Sequence, residues 1–439
     1  MKPKLIPLYL PNRDDDFTKQ LNALKNMLAE EAEFLEPIAL GDPIPKDAEA
    51  VIFPQMLGDA YRMVEEFKKI DIPILVVTSE FGTVLMWDWE IVSFLRSKGV
   101  ETIAPYNLDQ TKKLCRALKA KMDLRGGKFL VFQDNPGEGF QAEIFKRFYW
   151  WEDACSDLMK EKFGLTIEKR SFKELGAKAK DISDADAEAA AKQWDFPIIE
   201  LSKKQVNSAL KIYLAVKREV EADPSIRAAG INCLNESHYS DTTPCLAWNF
   251  LFMEKDLIWG CEADTMVMLT KYLIYKALDV EIMMTNIYPF LMGMAALKHE
   301  NIPSFPEIVE EPDNHILLAH CGYLGVVPQC FATDWVVRDK VLAIVDDNAH
   351  ALDARLRTGP ATMAKLGPSM KDIQVVEGNL KGYVQYAGSD CRNGAVMKVP
   401  NGHRMVNDTY SHHQLLMTGH RANDIELISK IYGLDVHRL

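Results

Sequence analysis

For some 330 residues, short apolar runs and amphipathic helical patterns take turns along this chain; then, near Phe331, the helices give way to short alternating strands. That change of hydrophobic period constrains the fold more than any other feature. Ala50–Pro54 and Pro73–Thr78 are short and almost continuously apolar, as strands buried on both faces are. Lys4–Leu10 reads as a first strand and Glu101–Pro105 as a fourth; helical patterns fall at Phe17–Glu30, Tyr61–Lys69, Trp87–Ser97 and Gln110–Lys121. A strand–helix repeat with short loops predicts a doubly wound sheet. Asp123–Lys128 reads as a linker into a second such unit, with strands at Lys128–Gln133 and Leu165–Arg170, a helix at Ala142–Lys162, a polar solvated helix within Lys178–Gln193 and a long helix at Lys203–Ala222. After Phe331, Gly and Asn turns at Glu377–Asn379 and Arg392–Gly394 predict an antiparallel barrel or sandwich, closed by a helix at Asn423–Tyr432. The expected fold is α/β: two doubly wound, Rossmann-like domains at 1–125 and 126–330, and a C-terminal antiparallel β-barrel-like domain at 331–439.

Composition narrows the class. Apolar residues at 48% and charged residues at 26% suit large globular cores. A net charge of −12 without basic clusters argues against a nucleic-acid partner, and no run of about 18 apolar residues argues for a membrane span. The first loop lacks the G-x-G-x-x-G of a dinucleotide site. Eight cysteines, none in a C-x-x-C pair, read as reduced core thiols, and with no secretory leader pattern the expected location is the cytoplasm. All ten histidines lie at or beyond His238, so any imidazole chemistry belongs to the second half.

Four apolar runs of that half end abruptly in polar residues. Ala228–Leu234 ends in Asn235-Glu236-Ser237-His238; Leu257–Cys261 in Glu262, with Asp264 opening a helix; Val280–Met284 in Thr285-Asn286; and His315–Ala319 in His320. In an open parallel sheet, ligands bind beyond the carboxyl ends of the strands. Taken as parallel neighbours, these four would gather carboxylates, an amide and a histidine on one rim.

Several of these segments, together with Tyr410-Ser411-His412-His413 and the strands from Gly359 to Lys398, resemble the L-fucose isomerase / L-arabinose isomerase superfamily over most of residues 228–439. Gly260-Cys-Glu-Ala-Asp264 is similar to the family's metal-binding segment, with Ala263 where the family has a second Gly. Asn286 stands where the family places a second carboxylate. Ala319-His-Cys-Gly322 and Ser411-His-His413 resemble the two histidine segments. The resemblance implies a metal-dependent aldose–ketose isomerase working through an enediol, with Mn²⁺ as the expected cofactor. It implies Glu262, Asn286 and His413 as metal ligands and Glu262 as an acid/base group; because Asn286 takes no proton, the second proton-transfer group is expected at Asp264, Glu236 or His320. His320, His412, Arg13, Trp87 and Glu236 are the expected substrate contacts. It also implies a homo-oligomer, a trimer or hexamer, in which a neighbour's Trp87 covers the sugar. Because strand neighbours face opposite ways, only one of His412 and His413 should reach a given metal.

Plainer readings stand beside these. Glu262 at a helix start could serve the helix dipole, His320 could be a satisfied core histidine, Asn286 a turn residue, and Trp87 and Trp89 packing residues. Asn286, which offers an oxygen but takes no proton, leaves open two other functions: a sugar-binding or regulatory protein without turnover, or an isomerase-like enzyme for a sugar acid or sulfosugar.

Overall fold

The computed structural model describes residues 1–10, 15–55, 58–135, 152–289, 310–385 and 393–439. Arg13, Cys391 and Arg392, and the start of the helix expected from Ala142, lie outside the described residues. Contacts gather the chain into two units. One comprises Met1–Asp123, Lys276–Asp279 and Asn423–Asp435; the other holds the remainder.

In the first unit, β1 (Lys4–Tyr9) pairs in parallel with β2 (Glu33–Phe34), β3 (Ile38–Ala39) and β4 (Ala50–Phe53), and β4 with β5 (Ile74–Val76). The expected fourth strand is reduced to one bridge, Leu75 to Ile103. Apolar residues on both faces explain why β4 and β5 are buried throughout: Val51, Phe53 and Val76 pack with Phe67, Val92 and Leu95 of the covering helices. Helix Leu108–Leu124 is tied to helix Ala422–Tyr432 by Lys113 Nζ to Asp424 Oδ2 at 2.7 Å and Lys121 Nζ to the Ile431 carbonyl at 3.0 Å.

The second unit carries a parallel sheet in the order β10-β9-β6-β7, built from β6 (Lys128–Phe132), β7 (Thr166–Arg170), β9 (Ile226–Ile231) and β10 (Ile258–Gly260). The solvated stretch before the long helix forms two helices, Phe172–Lys180 and Asp184–Ala191, each capped by a serine hydroxyl. The long helix Lys203–Ala222 begins with a full capping box between Ser202 and Gln205. A small sheet sets β8 (Ile198–Ile199) beside β13 (Asp334–Asp339) and β14 (His350–Arg355).

The remaining strands correct the sequence reading. β11 (Ile282–Pro289) and β12 (His315–Ala319) do not extend the parallel sheet; they are antiparallel to each other. With β15 (Gly359–Leu366), β16 (Asp372–Gln385), β17 (Asn393–Lys398) and β18 (His413–Thr418) they form a closed six-stranded antiparallel barrel in the order β15-β18-β11-β12-β17-β16. β19 (Asp435–Arg438) joins β16 outside the ring. Length and apolarity alone do not tell an antiparallel barrel strand from a parallel one, and the partners of β11 and β12 lie up to 135 residues further on, from Ile282 to Met417. The turn expected at Glu377-Gly378-Asn379 is likewise the middle of β16. Gly378 is there because a Cβ would collide with the Lys398 carbonyl of β17. Among the described residues no helix is long and apolar enough to cross a membrane.

Candidate metal centre

Two kinds of element meet at the candidate site: the loop that ends the parallel sheet, and four neighbouring barrel strands. The loop follows β10. Gly260 is required because a Cβ would strike Met268 on the next helix. Cys261 then leads into two consecutive left-handed residues, Glu262 at φ 54° and Ala263 at φ 57°. Such backbone costs about 1 kcal/mol or more per non-glycine residue and persists only where its surroundings hold it. They do hold it: the Glu262 amide donates to the Cys233 sulfur, and Ala263 sits against Gly230 of β9. Asp264 ends the loop as the N-cap of helix Thr265–Leu278, its Oδ1 accepting from the Val267 amide at 2.8 Å.

The barrel contributes through register. On β11, Asn286 lies opposite His413 of β18 on one side and Ala319 of β12 on the other. His320 follows Ala319 directly and turns through Cys321 and Gly322, both left-handed, the pairing a tight two-residue turn requires. Strand alternation separates the two adjacent histidines: His413 is buried, while His412 is exposed with its ring 4.3 Å from that of His413.

Glu262, His320 and His413 form a buried group whose donor atoms lie within 4.8 Å of one another. Both imidazole Nε2 atoms face the same carboxylate oxygen, Glu262 Oε1, each at 3.9 Å. Their other nitrogens are engaged. His413 Nδ1 donates to Asp264 Oδ2 at 2.9 Å, and His320 Nδ1 donates to Asn286 Oδ1 at 3.1 Å. Oxygens that can only accept place a hydrogen on Nδ1 in both rings, and both Nε2 atoms face Glu262. His320 Nε2 is buried without a hydrogen-bond partner. Burial, with His413 and Lys271 nearby, lowers the His320 pKa far below the usual imidazole range and keeps the ring neutral.

This donor set fits a divalent cation. Two imidazoles and one carboxylate, each histidine held by an outer oxygen, is the arrangement protein metal sites use to orient their ligands. Metal–ligand bonds of about 2.1 Å place tetrahedral donors roughly 3.4 Å apart, so the observed 3.9 Å closes on an ion with a shift of about half an ångström.

Sequence reasoning placed Asn286 among the ligands and His320 outside them. The structure gives Asn286 the task of holding His320, and brings His320 to Glu262 and His413. Asp264 is wholly buried. Burial raises its pKa, but the Lys365 ammonium and the His413 hydrogen bond outweigh that and hold it below the usual carboxylate range. Lys365 of β15, with Nζ 3.3 Å from Asp264 Oδ2, was not singled out in the sequence, although a lysine amid Thr-Met-Ala-Lys-Leu is the kind of buried charge that requires a partner. Glu236 has a structural engagement: its carboxylate accepts from the amides of Asp134 and Asn135, and burial raises its pKa. Trp87 belongs to the first unit and is 70% exposed.

Behind the loops, Cys233, Cys245, Cys261 and Cys321 line a cavity of about 20 Å³, room for one water. His350 closes it, with Nε2 accepting from the Leu246 amide at 3.0 Å and Nδ1 bonded to Thr242 Oγ1 at 3.1 Å. All seven described cysteines are free thiols.

No protein-family model matches this chain, and no curated protein matches it.

Proposed function

We propose that this chain is a divalent-metal-dependent aldose–ketose isomerase whose metal is held by Glu262, His320 and His413. The observation that carries the metal assignment is the convergence of two imidazole Nε2 atoms on one carboxylate oxygen, each ring fixed from behind. The choice of reaction is supported by the resemblance of residues 260–264, 319–322 and 411–413 to the isomerase segments. When bound, a cation such as Mn²⁺ supplies Lewis acidity toward the two adjacent sugar oxygens between which the proton moves.

The chain's own residues divide the remaining work. Glu262 is the carboxylate of the triad and keeps 10% of its side chain exposed, whereas Asp264 is closed off from any ligand. Proton transfer between C1 and C2 therefore falls to Glu262, and Asp264 orients His413. His412, exposed beside His413, is placed to meet a sugar hydroxyl. A general base within hydrogen-bond reach contributes roughly 10²–10⁴-fold to such a rate.

One observation favours a second reading, sugar binding without turnover. The position of the second carboxylate is an amide, already engaged by His320. Titration of the protein with Mn²⁺, followed by electron paramagnetic resonance, tests the site: saturable binding of one ion per chain is expected in the native protein and not in Glu262→Gln. Aldoses and ketoses incubated with the Mn²⁺-loaded protein in deuterated water then separate the readings. Deuterium at C1 or C2 is expected of an isomerase; sugar binding without exchange would establish the second reading in its place.

A further inference from the structure

We infer that Lys365 is the positioning residue of the metal centre, acting through Asp264 to fix the His413 ring. The inference rests on the metal assignment just proposed. Asp264 Oδ2 is shared: it accepts from His413 Nδ1 at 2.9 Å and faces Lys365 Nζ at 3.3 Å. Lys365 and Asp264 are fully enclosed, and His413 is 1% exposed. The other oxygen, Oδ1, is committed to the amide of Val267 at the start of the helix. The carboxylate is thus fixed from three directions by donors on three different elements, the helix, β18 and β15.

Each contact has a distinct consequence. The Val267 bond ties Asp264, at the end of the loop that carries Glu262, to the helix that follows. The His413 bond ties the same carboxylate to the barrel. Lys365 supplies an ammonium bonded to Asp264, and a buried carboxylate without such a partner is strongly destabilising. Removing Lys365 therefore leaves a charge that must move toward water, and its movement releases the His413 ring. Lys365 bonds Asp264, which in turn bonds His413, so its effect on the metal passes through that carboxylate. Outer partners of this kind commonly account for a 10–100-fold share of metal affinity, by roughly the effect of their removal.

The test is Mn²⁺ affinity, read by electron paramagnetic resonance on the full chain, set against the urea unfolding midpoint of the same variants. Lys365→Met is expected to weaken Mn²⁺ binding by about 10–100-fold, and Lys365→Arg, which keeps the charge, to recover most of it. The double variant Asp264→Asn with Lys365→Met removes both buried charges. It is expected to regain the unfolding midpoint without regaining the affinity, and it carries the test should the single variant not fold. A folded Lys365→Met protein with native affinity, or a double variant in which affinity returns with stability, would overturn the inference alone. A native protein that takes up no Mn²⁺ would overturn the metal assignment and this inference with it.

Discussion

The parallel sheet and the barrel hold their shares of the site in different ways. Glu262 is held by local backbone: two left-handed residues, pinned between β9 and the helix that Asp264 caps. His413 and His320 are held by register, through Asn286 on the strand between them. A strained loop fixes one group closely and stores cost in doing so. A closed ladder spreads the constraint over many hydrogen bonds, and no single residue carries it. The site therefore has a carboxylate placed by strained local backbone and two histidines placed by strand pairing, His413 with the added hold of Asp264.

The largest effect that bears on this contrast is removal of a donor on either side. Glu262→Gln and His413→Ala are each expected to weaken Mn²⁺ binding by at least about 100-fold, beyond what loss of an outer partner costs. Isothermal titration of both would check it; a large loss in only one would mean that the two sides do not share an ion. Next comes acid. His350 supports the thiol-lined cavity behind the Glu262 loop, and burial lowers its pKa to about 3. The unfolded chain takes up that proton near pH 6.5, so between those values the unfolded state binds more protons and stability falls with falling pH. From pH 7.5 to pH 5 this histidine alone removes about 2 kcal/mol. Urea unfolding at both pH values should show His350→Gln losing less stability than the native protein by that amount.

A smaller effect separates register from charge. Asn286→Asp is expected to tighten Mn²⁺ binding by about tenfold, because a carboxylate behind His320 makes the bond charge-assisted and the ring a better donor. Unchanged affinity would mean that Asn286 serves the barrel alone. The smallest expected change is Ala263→Gly, which relieves one left-handed residue and should raise stability by about 1 kcal/mol in urea unfolding, with Mn²⁺ affinity unaltered. Lost affinity would show that the methyl group of Ala263 also guides Glu262.

What was legible in the sequence follows the same division. Local signals carried far. The helix Lys203–Ala222 has the predicted bounds, and β1, β4, β6 and β7 fall within a residue or two of theirs. Gly260-Cys-Glu marked the loop, since only glycine clears Met268 there. Alternation alone indicated that His412 and His413 would point opposite ways, and one is exposed and the other buried. The partners of β11 and β12 were not legible: a short apolar run reads alike in a parallel sheet and in a barrel, and only distant pairing decides. That one error carried the roles of Asn286 and His320 with it. As parallel strand ends they would stand side by side on a rim; as antiparallel neighbours, one holds the other. Lys365 escaped notice because its partner lies 101 positions away.

The interleaving of the two units bears on how the protein is made. Residues 1–123 hold the first sheet, yet helix Ala422–Tyr432, which Lys113 and Lys121 grip, is encoded some three hundred residues later. Chains are synthesised from the N-terminus at roughly 5–20 residues per second, and domains tend to fold as they emerge. Here helix Leu108–Leu124 leaves the ribosome without the helix it grips, and it stays so for about 15–60 s at those rates. The face of that helix waits without its partner while the barrel is being translated, and a gene truncated after codon 123 would leave it so for good.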